Sequence, residues 1–208
     1  MTGAAIDLDT PHGVARAHLH VAGRPRAALL LGHGAGGGVA APDLLAATEA
    51  ALAQQVSVAL VEQPYRVAGR RSAAPAHQLD TAWIAVAEQL RDGPLAGLPL
   101  LAGGRSAGAR VACRTAGAVG AIGVLCLAFP LHPPARAGAE RKTRLPELEA
   151  AGVPVLVVQG QNDRFGIPPA GPDREVVVIR GDHGLKSDKP ALVAAVSAWL
   201  GELSDRSG

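Results

Sequence analysis

Aromatic side chains are nearly missing from this sequence: two phenylalanines, two tryptophans and one tyrosine stand among 208 residues. The core must be built from Leu, Val, Ile and Ala, and no basic-aromatic platform exists on which nucleic-acid bases could stack. An excess of one charge is missing too. A formal net charge of +2 gives no bulk attraction for nucleic acid, so no nucleic-acid partner is expected. There are only two cysteines, Cys113 and Cys126. Both lie in apolar contexts without metal-ligand spacing, which predicts buried, reduced thiols of a cytoplasmic protein and no metal site. The longest uncharged apolar run, Ala116 to Leu131, is 16 residues with three glycines, too short and too broken to span a membrane. The opening MTGAAIDLDTP has no basic stretch followed by an apolar run, so no secretory leader is expected. No internal repeat or linker interrupts the chain, and its length suits one domain, residues 1–208.

What the chain does have is glycine, 26 residues of it, concentrated where apolar runs end. Residues 4–9 and 14–21 read as a strand pair joined around Pro11-His12-Gly13. His18 and His20 share a face there, but no carboxylate or cysteine lies near them in sequence, so surface histidines are expected. Ala27 to Leu31 is a continuous apolar run suited to a strand covered on both faces. It ends in Gly32-His33-Gly34-Ala35-Gly36-Gly37-Gly38. A helix follows from Pro42-Asp43 with the stripe Leu44, Leu45, Thr48, Leu52. Val56 to Val61 is the next strand. A loop with proline and arginine comes after it, then a helix capped by Asp80 with Trp83, Ile84, Ala87 and Leu90 on one face. Leu98 to Ala102, 121–129, Val153 to Val158 and Val176 to Ile179 read as further strands. A short helix at Pro146 to Ala151 and a last helix at Ala191 to Leu200 complete the pattern. Strands alternating with helices predict an α/β fold with a mostly parallel sheet of seven or eight strands and helices on both faces.

The organising stretch is Leu98 to Cys113. Its apolar run breaks at Gly104-Arg105-Ser106-Ala107-Gly108 and restarts as a helix, which fits the G-x-S-x-G elbow. In that turn the serine is held in a strained backbone conformation above the sheet. The glycines on either side permit strand and helix to approach closely. The Ala107 N–H and the helix N-terminus then face a developing oxyanion. Two later strand exits supply partners. Asp163 follows 153–158 and His183 follows 176–179, at the strand ends where α/β sheets carry their sites. A serine hydroxyl needs a neutral imidazole to take its proton, and that imidazole needs a carboxylate to fix its tautomer. Asp182 is the rival acid, but its side chain should diverge from that of the adjacent His183. The loop after the third strand offers a second oxyanion donor at Ala35, with His33 holding that loop by hydrogen bonds. Gly34, Tyr65, Arg66 and His132 are the candidate substrate-binding residues, and His77 reads as loop surface.

The segments GHGAGG, QPYR, GGRSAG, FPLHPP, GQNDRFG and GDHGL together resemble the α/β-hydrolase superfamily. They are most similar to a small, cap-less, dienelactone-hydrolase-like branch. That branch includes the hydrolase-like domain of the third subunit of the nuclear NSL complex and its bacterial relatives. The resemblance spans roughly residues 27–200. It implies catalytic roles for Ser106, Asp163 and His183, oxyanion roles for Ala35 and Ala107, and a covalent acyl-enzyme on an ester or thioester. Relatives often carry methionine where this chain has Ala107, which alters the pocket wall but keeps the N–H. No cofactor is implied, and the partner is a small acyl substrate.

Two other readings compete. Gly32-x-Gly34-x-x-Gly37 satisfies the dinucleotide pattern G-x-G-x-x-G, with Glu62 ending the next strand. A dinucleotide-binding helix should open within those glycines, however, and here Pro42 stands near the helix start. A non-catalytic protein-interaction module on the same fold is the second alternative. Finally, loop 64–79 carries Arg66, Arg70 and Arg71 without an acid. Loop 131–145 carries Arg136, Arg141, Lys142 and Arg144 against Glu140. If both rim the site, they favour an anionic acyl substrate.

Overall fold

A computed structural model describes residues 4–133 and 142–205. A single sheet organises them, in the order β1-β2-β4-β3-β5-β6-β7-β8. β1 (Ala4–Thr10) and β2 (Gly13–His20) form an antiparallel hairpin, and β2 pairs antiparallel with β4 (Val56–Glu62). β3 (Ala27–Gly32), β5 (Leu100–Arg105), β6 (Val124–Leu127), β7 (Val155–Gly160) and β8 (Arg174–Ile179) continue in parallel pairing. Six helices are described: α1 (Pro42–Ala53), α2 (Pro64–Val67), α3 (Ala76–Asp92), α4 (Ala107–Thr115), α5 (Leu145–Glu149) and α6 (Lys189–Asp205). Among the described residues no cap domain follows β6.

The central strands are apolar on both faces because both faces are covered. Leu30, Val124, Cys126, Val155 and Val157 point to a core shared with α3, α4 and α5. Leu29, Leu31, Leu125, Leu127, Leu156 and Val158 point to the other, shared with α1 and α6. This alternation is the two-residue period of a pleated strand, read on β3, β6 and β7. With so few aromatics, Trp83 and Phe129 are the rings among the largest fully buried side chains of the described residues, and leucines supply the rest. The two cysteines meet in the first core, both free and buried with sulfurs 3.4 Å apart. Burial raises the Cys126 thiol well above its ordinary value, which keeps it protonated.

The structure corrects the expected elements in four places. α3 begins at Ala76, with Pro75 in the N-cap position, because proline's fixed φ sets the helix start one turn earlier than Asp80. His77 therefore sits on the first turn of a helix, not in a loop, and Asp80 turns to Arg114 at 2.6 Å. The stripe of α1 rotates so that Leu45 is 47% exposed while Asp43 is buried. β6 is shorter than 121–129 and ends at Leu127, next to Ala128 with φ 51°. His18 does find a carboxylate, Glu62 at 3.0 Å, because β2 pairs with β4. Among the described residues no group of three metal-ligating side chains forms. No helix there is long and apolar enough to cross a membrane.

Candidate active site

β5 runs directly into α4 through Ser106, whose φ of 53° and ψ of −107° lie outside the ordinary regions for a residue with a side chain. Tight packing around the elbow enforces this. A Cβ on Gly104 would stand 2.5 Å from the Gly32 carbonyl oxygen, and one on Gly108 would overlap the same atom. The strand, the turn and the helix thus share a space that only glycines leave open. Trp83 closes the far side, with its ring 3.1 Å from where a Gly32 Cβ would be. The Ser106 N–H donates to the Leu127 carbonyl at 2.9 Å, which fixes the elbow to the end of β6.

Two loops, after β7 and after β8, reach Ser106 at the same edge of the sheet. The Ser106 hydroxyl lies 3.0 Å from His183 Nε2, and His183 Nδ1 lies 2.7 Å from Asp163 Oδ2. Asp163 is wholly buried at its side chain, while that of His183 is 20% exposed, so the ring can meet a ligand and the carboxylate cannot. Donors converge on Asp163: besides His183, Gln159 Nε2 donates at 2.8 Å and the Phe165 N–H at 2.9 Å. The Gln159 amide also faces the carbonyls of Phe129 and Gly166, which orients its nitrogen toward the acid. Phe165 packs edge-on against the His183 ring with centroids 4.6 Å apart. The two loops meet because β7 ends in Gly160, where any Cβ would collide with the Asp182 carbonyl. Asp182 itself is exposed and accepts the Gly184 N–H at 2.8 Å, away from the imidazole's nitrogens.

The glycine loop after β3 closes the third side. His33 is buried and makes both of its hydrogen bonds to backbone. Its Nε2 accepts the Gln63 N–H at 3.1 Å and its Nδ1 donates to the Gly34 carbonyl at 2.8 Å. Burial lowers its pKa below the ordinary 6.5, so the ring stays neutral and serves as a brace. Tyr65 donates its hydroxyl to the Ala35 carbonyl at 3.1 Å and packs edge-on against His33. Tyr65 thereby shapes the loop carrying Gly34 and Ala35. Ala107 opens α4, so its N–H has no carbonyl within the helix to bond. α1 begins only at Pro42, so no helix opens within the glycines as dinucleotide binding needs.

The outer candidates disperse. His132 leans on the Asp163 loop, its N–H donating to the Phe165 carbonyl at 2.8 Å and its Nδ1 to the Lys142 carbonyl at 3.0 Å. Arg66 follows Tyr65 on α2, and its Nε is buried without a hydrogen-bond partner among the described residues. A cavity of about 330 Å³ opens beside it, lined by His12, Gln63, Tyr65, Arg70 and Leu79, with Ser106, Asp163 and His183 outside its wall. Arg144 turns inward to the Pro130 carbonyl at 3.1 Å. Arg136, Glu140 and Arg141 lie outside the described residues.

Four participants gave no readable signal. Gln159 and Phe165 sit inside a segment that marked only its aspartate. Arg105 occupies the variable position of the elbow, and Asp43 looked like a first-turn helix residue. Arg105 Nε donates to Asp43 Oδ2 at 2.7 Å and Arg105 Nη2 to the His183 carbonyl at 3.0 Å.

The family model of the alpha/beta hydrolase domain matches residues 25–191. No curated protein sequence matches the chain. Among solved structures, Est1E from Butyrivibrio proteoclasticus aligns with a TM-score of 0.76 at 14% identity, covering 98% of this chain and 100% of that one. XC6422 from Xanthomonas campestris, described as an α/β serine hydrolase without lid, gives 0.71 at 20% identity over 96% and 95% of the two chains. Dienelactone hydrolase from Anabaena variabilis gives 0.69 at 15% identity over 98% and 96%. At these identities the likeness is one of fold.

Proposed function

The chain belongs to the α/β-hydrolase family, and within it we propose a serine hydrolase that cleaves small acyl esters or thioesters through a covalent acyl-enzyme. One observation carries this reading: the continuous hydrogen-bonded path from Ser106 Oγ through His183 to buried Asp163. Asp163 holds the imidazole with its proton on Nδ1, leaving Nε2 as the acceptor for the serine proton.

Ser106 Oγ attacks the acyl carbon and its proton passes to His183 Nε2. The tetrahedral oxyanion is met by the N–H groups of Ala107 and Ala35. Collapse breaks the bond to the leaving group, which takes the proton from Nε2. Water then adds to the acyl carbon, giving a proton to Nε2. The Oγ–C bond breaks, and the proton returns to the serine. Est1E has been solved with ferulic acid bound, and by analogy of fold we assign this chain a small acyl compound as substrate. Gly34, Tyr65, Arg66 and His132 remain our candidates to surround it, and Arg66, Arg70 and Arg71, between β4 and α3, to favour an anionic one.

A panel of acyl esters and thioesters tests the reading. Ser106→Ala should lower kcat on any true substrate by up to about 10⁶-fold while leaving the fold intact. Turnover near the wild-type level in that variant would instead support a site elsewhere or a non-catalytic interaction module.

A further inference from the structure

Arg105 immediately precedes the candidate nucleophile, and two nitrogens of its guanidinium are engaged away from it. Nε donates to Asp43 Oδ2 at 2.7 Å and Nη2 to the His183 carbonyl at 3.0 Å. Nη1 lies 3.0 Å from where a Cβ on Gly34 would stand, so a bare backbone at 34 gives the guanidinium its room. Its anchor is firm: the Asp43 side chain is fully buried, and its second oxygen accepts the Leu44 N–H at 3.0 Å. One planar fork therefore joins the start of α1, the elbow and the backbone of the His183 loop, and it reaches over the oxyanion loop.

The His183 loop is tied to its surroundings by the Asn162 N–H, which donates to the Gly181 carbonyl at 2.9 Å, and by Arg105. It turns twice through left-handed backbone, at Gly181 (φ 120°) and Leu185 (φ 47°), with His183 between them. The ring of His183 is held by Ser106, Asp163 and Phe165, whereas its backbone carbonyl is held by Arg105. Adjacent residues of the elbow thus grip the two ends of one histidine: Arg105 the backbone, Ser106 the imidazole.

Resting on the serine-hydrolase reading above, we propose that Arg105, anchored by Asp43, is a positioning residue that keeps the His183 imidazole in register between Ser106 and Asp163. It acts through His183 and does not touch the reacting atoms. The pair is poorly explained as a source of stability. Burial pushes the Asp43 carboxyl above its ordinary range despite the opposing pull of Arg105, so desolvation outweighs the attraction. Lysine is a poor substitute, because a single ammonium lacks the planar fork that spans Asp43 and the His183 carbonyl together.

The test uses the double variant Asp43→Asn with Arg105→Gln, which removes both charges and leaves no buried ion unpaired, and Arg105→Lys beside it. Two readouts are taken on the full chain: the rate at which a fluorophosphonate labels Ser106, and the far-downfield NMR signal of the His183 Nδ1 proton. The proposal expects labelling to slow by about ten- to a hundredfold, the scale of a small misplacement of a reacting group. It also expects the Nδ1 proton signal to be lost or to exchange with solvent at least about tenfold faster, with Asp163 untouched. Labelling at the wild-type rate overturns it. So does slowed labelling with an intact proton signal, because the guanidinium would then be acting on the ligand. Should the double variant not fold, Arg105→Lys, which keeps a charge opposite Asp43, is read in the same way. If wild-type Ser106 is not labelled at all, the hydrolase reading fails by itself. The proton signal alone then decides, its loss supporting the strap and its persistence overturning it.

Discussion

Two arginine–carboxylate arrangements grow from the same ten residues of chain, and they behave as opposites. At the elbow, Arg105 meets an Asp43 carboxylate with no exposed surface, and burial raises that carboxyl's pKa. One turn into α4 and beyond, Arg110 and Arg114 both reach Glu147 of α5, and Arg114 also takes Asp80 of α3 in a two-pronged contact. There the side chains are 19–24% exposed, and the Glu147 carboxyl is held below its ordinary value by its two arginines, which outweigh its partial burial. Partial solvation makes the second arrangement inexpensive to form and worth having as a staple between three helices. Full burial makes the first one a poor staple. What the first does instead is reach a backbone carbonyl in the candidate active site. On the proposal above, the end of β5 bears on rate and the Arg110–Arg114 face of α4 on stability.

Changes on the site side should move turnover and spare the fold. Asp163→Asn should reduce kcat by about 10⁴-fold, because the imidazole loses its oriented tautomer. Asp182→Asn, which disturbs only the bond to the Gly184 N–H, should change kcat by less than about twofold on the same scale. Steady-state kinetics on one ester decides between the two acids, and the reverse ranking would name Asp182 as the partner of His183.

Changes on the helix face should do the opposite. Glu147→Gln leaves Arg110 and Arg114 with weaker acceptors and should cost about 1 kcal/mol, a figure kept small because the site is partly exposed. That corresponds to a fall of about 2–4 °C in Tm by scanning calorimetry, with kcat/KM unchanged. A loss of activity without a loss of Tm would erase the distinction between the two arrangements.

Acid provides a finer contrast. The depressed Glu147 carboxyl contributes stability that is present above its ordinary 4.5 and lost as pH falls toward its folded value. The raised Asp43 carboxyl has the other sign. It takes its proton first in the folded state, which relieves a cost as pH falls toward 3.8. Glu147→Gln should therefore flatten the acid limb of Tm against pH, and Asp43→Asn should steepen it. His33 adds an earlier, gentler slope. Its lowered folded pKa means stability is complete above 6.5 and declines below it. His33→Gln should remove that first decline in a melting series between pH 7 and 5.

The sequence made most of this legible where a residue's chemistry and its place in an element coincide. Gly104, Ser106 and Gly108 mark the elbow because a close strand–helix approach admits nothing larger, and Asp163 and His183 follow strands whose apolar runs are unmistakable. His33 could be read as a brace because it stands inside a glycine loop with no charged neighbour. What escaped depends on distance along the chain. Asp43 and Arg105 are 62 residues apart, and α1 had to rotate Leu45 outward to bring the aspartate in. Gln159 lies just past the strand read over 153–158, and its partners, Phe129, Asp163 and Gly166, come from other segments. The start of α3 was missed because Pro75 competes with Asp80 as a helix opener and, with its φ already fixed, prevails.

On the proposed reading, Ser106 carries the acyl group. Intact mass spectrometry of the protein quenched during turnover of a short-chain activated ester, followed by peptide mapping, tests it most directly. The account predicts a mass gain of one acyl group on the peptide containing Ser106, absent from Ser106→Ala and longer-lived in His183→Ala if that variant is first acylated by the activated ester. Turnover without any acylated species in wild type, or an acyl group mapped to another residue, would contradict it.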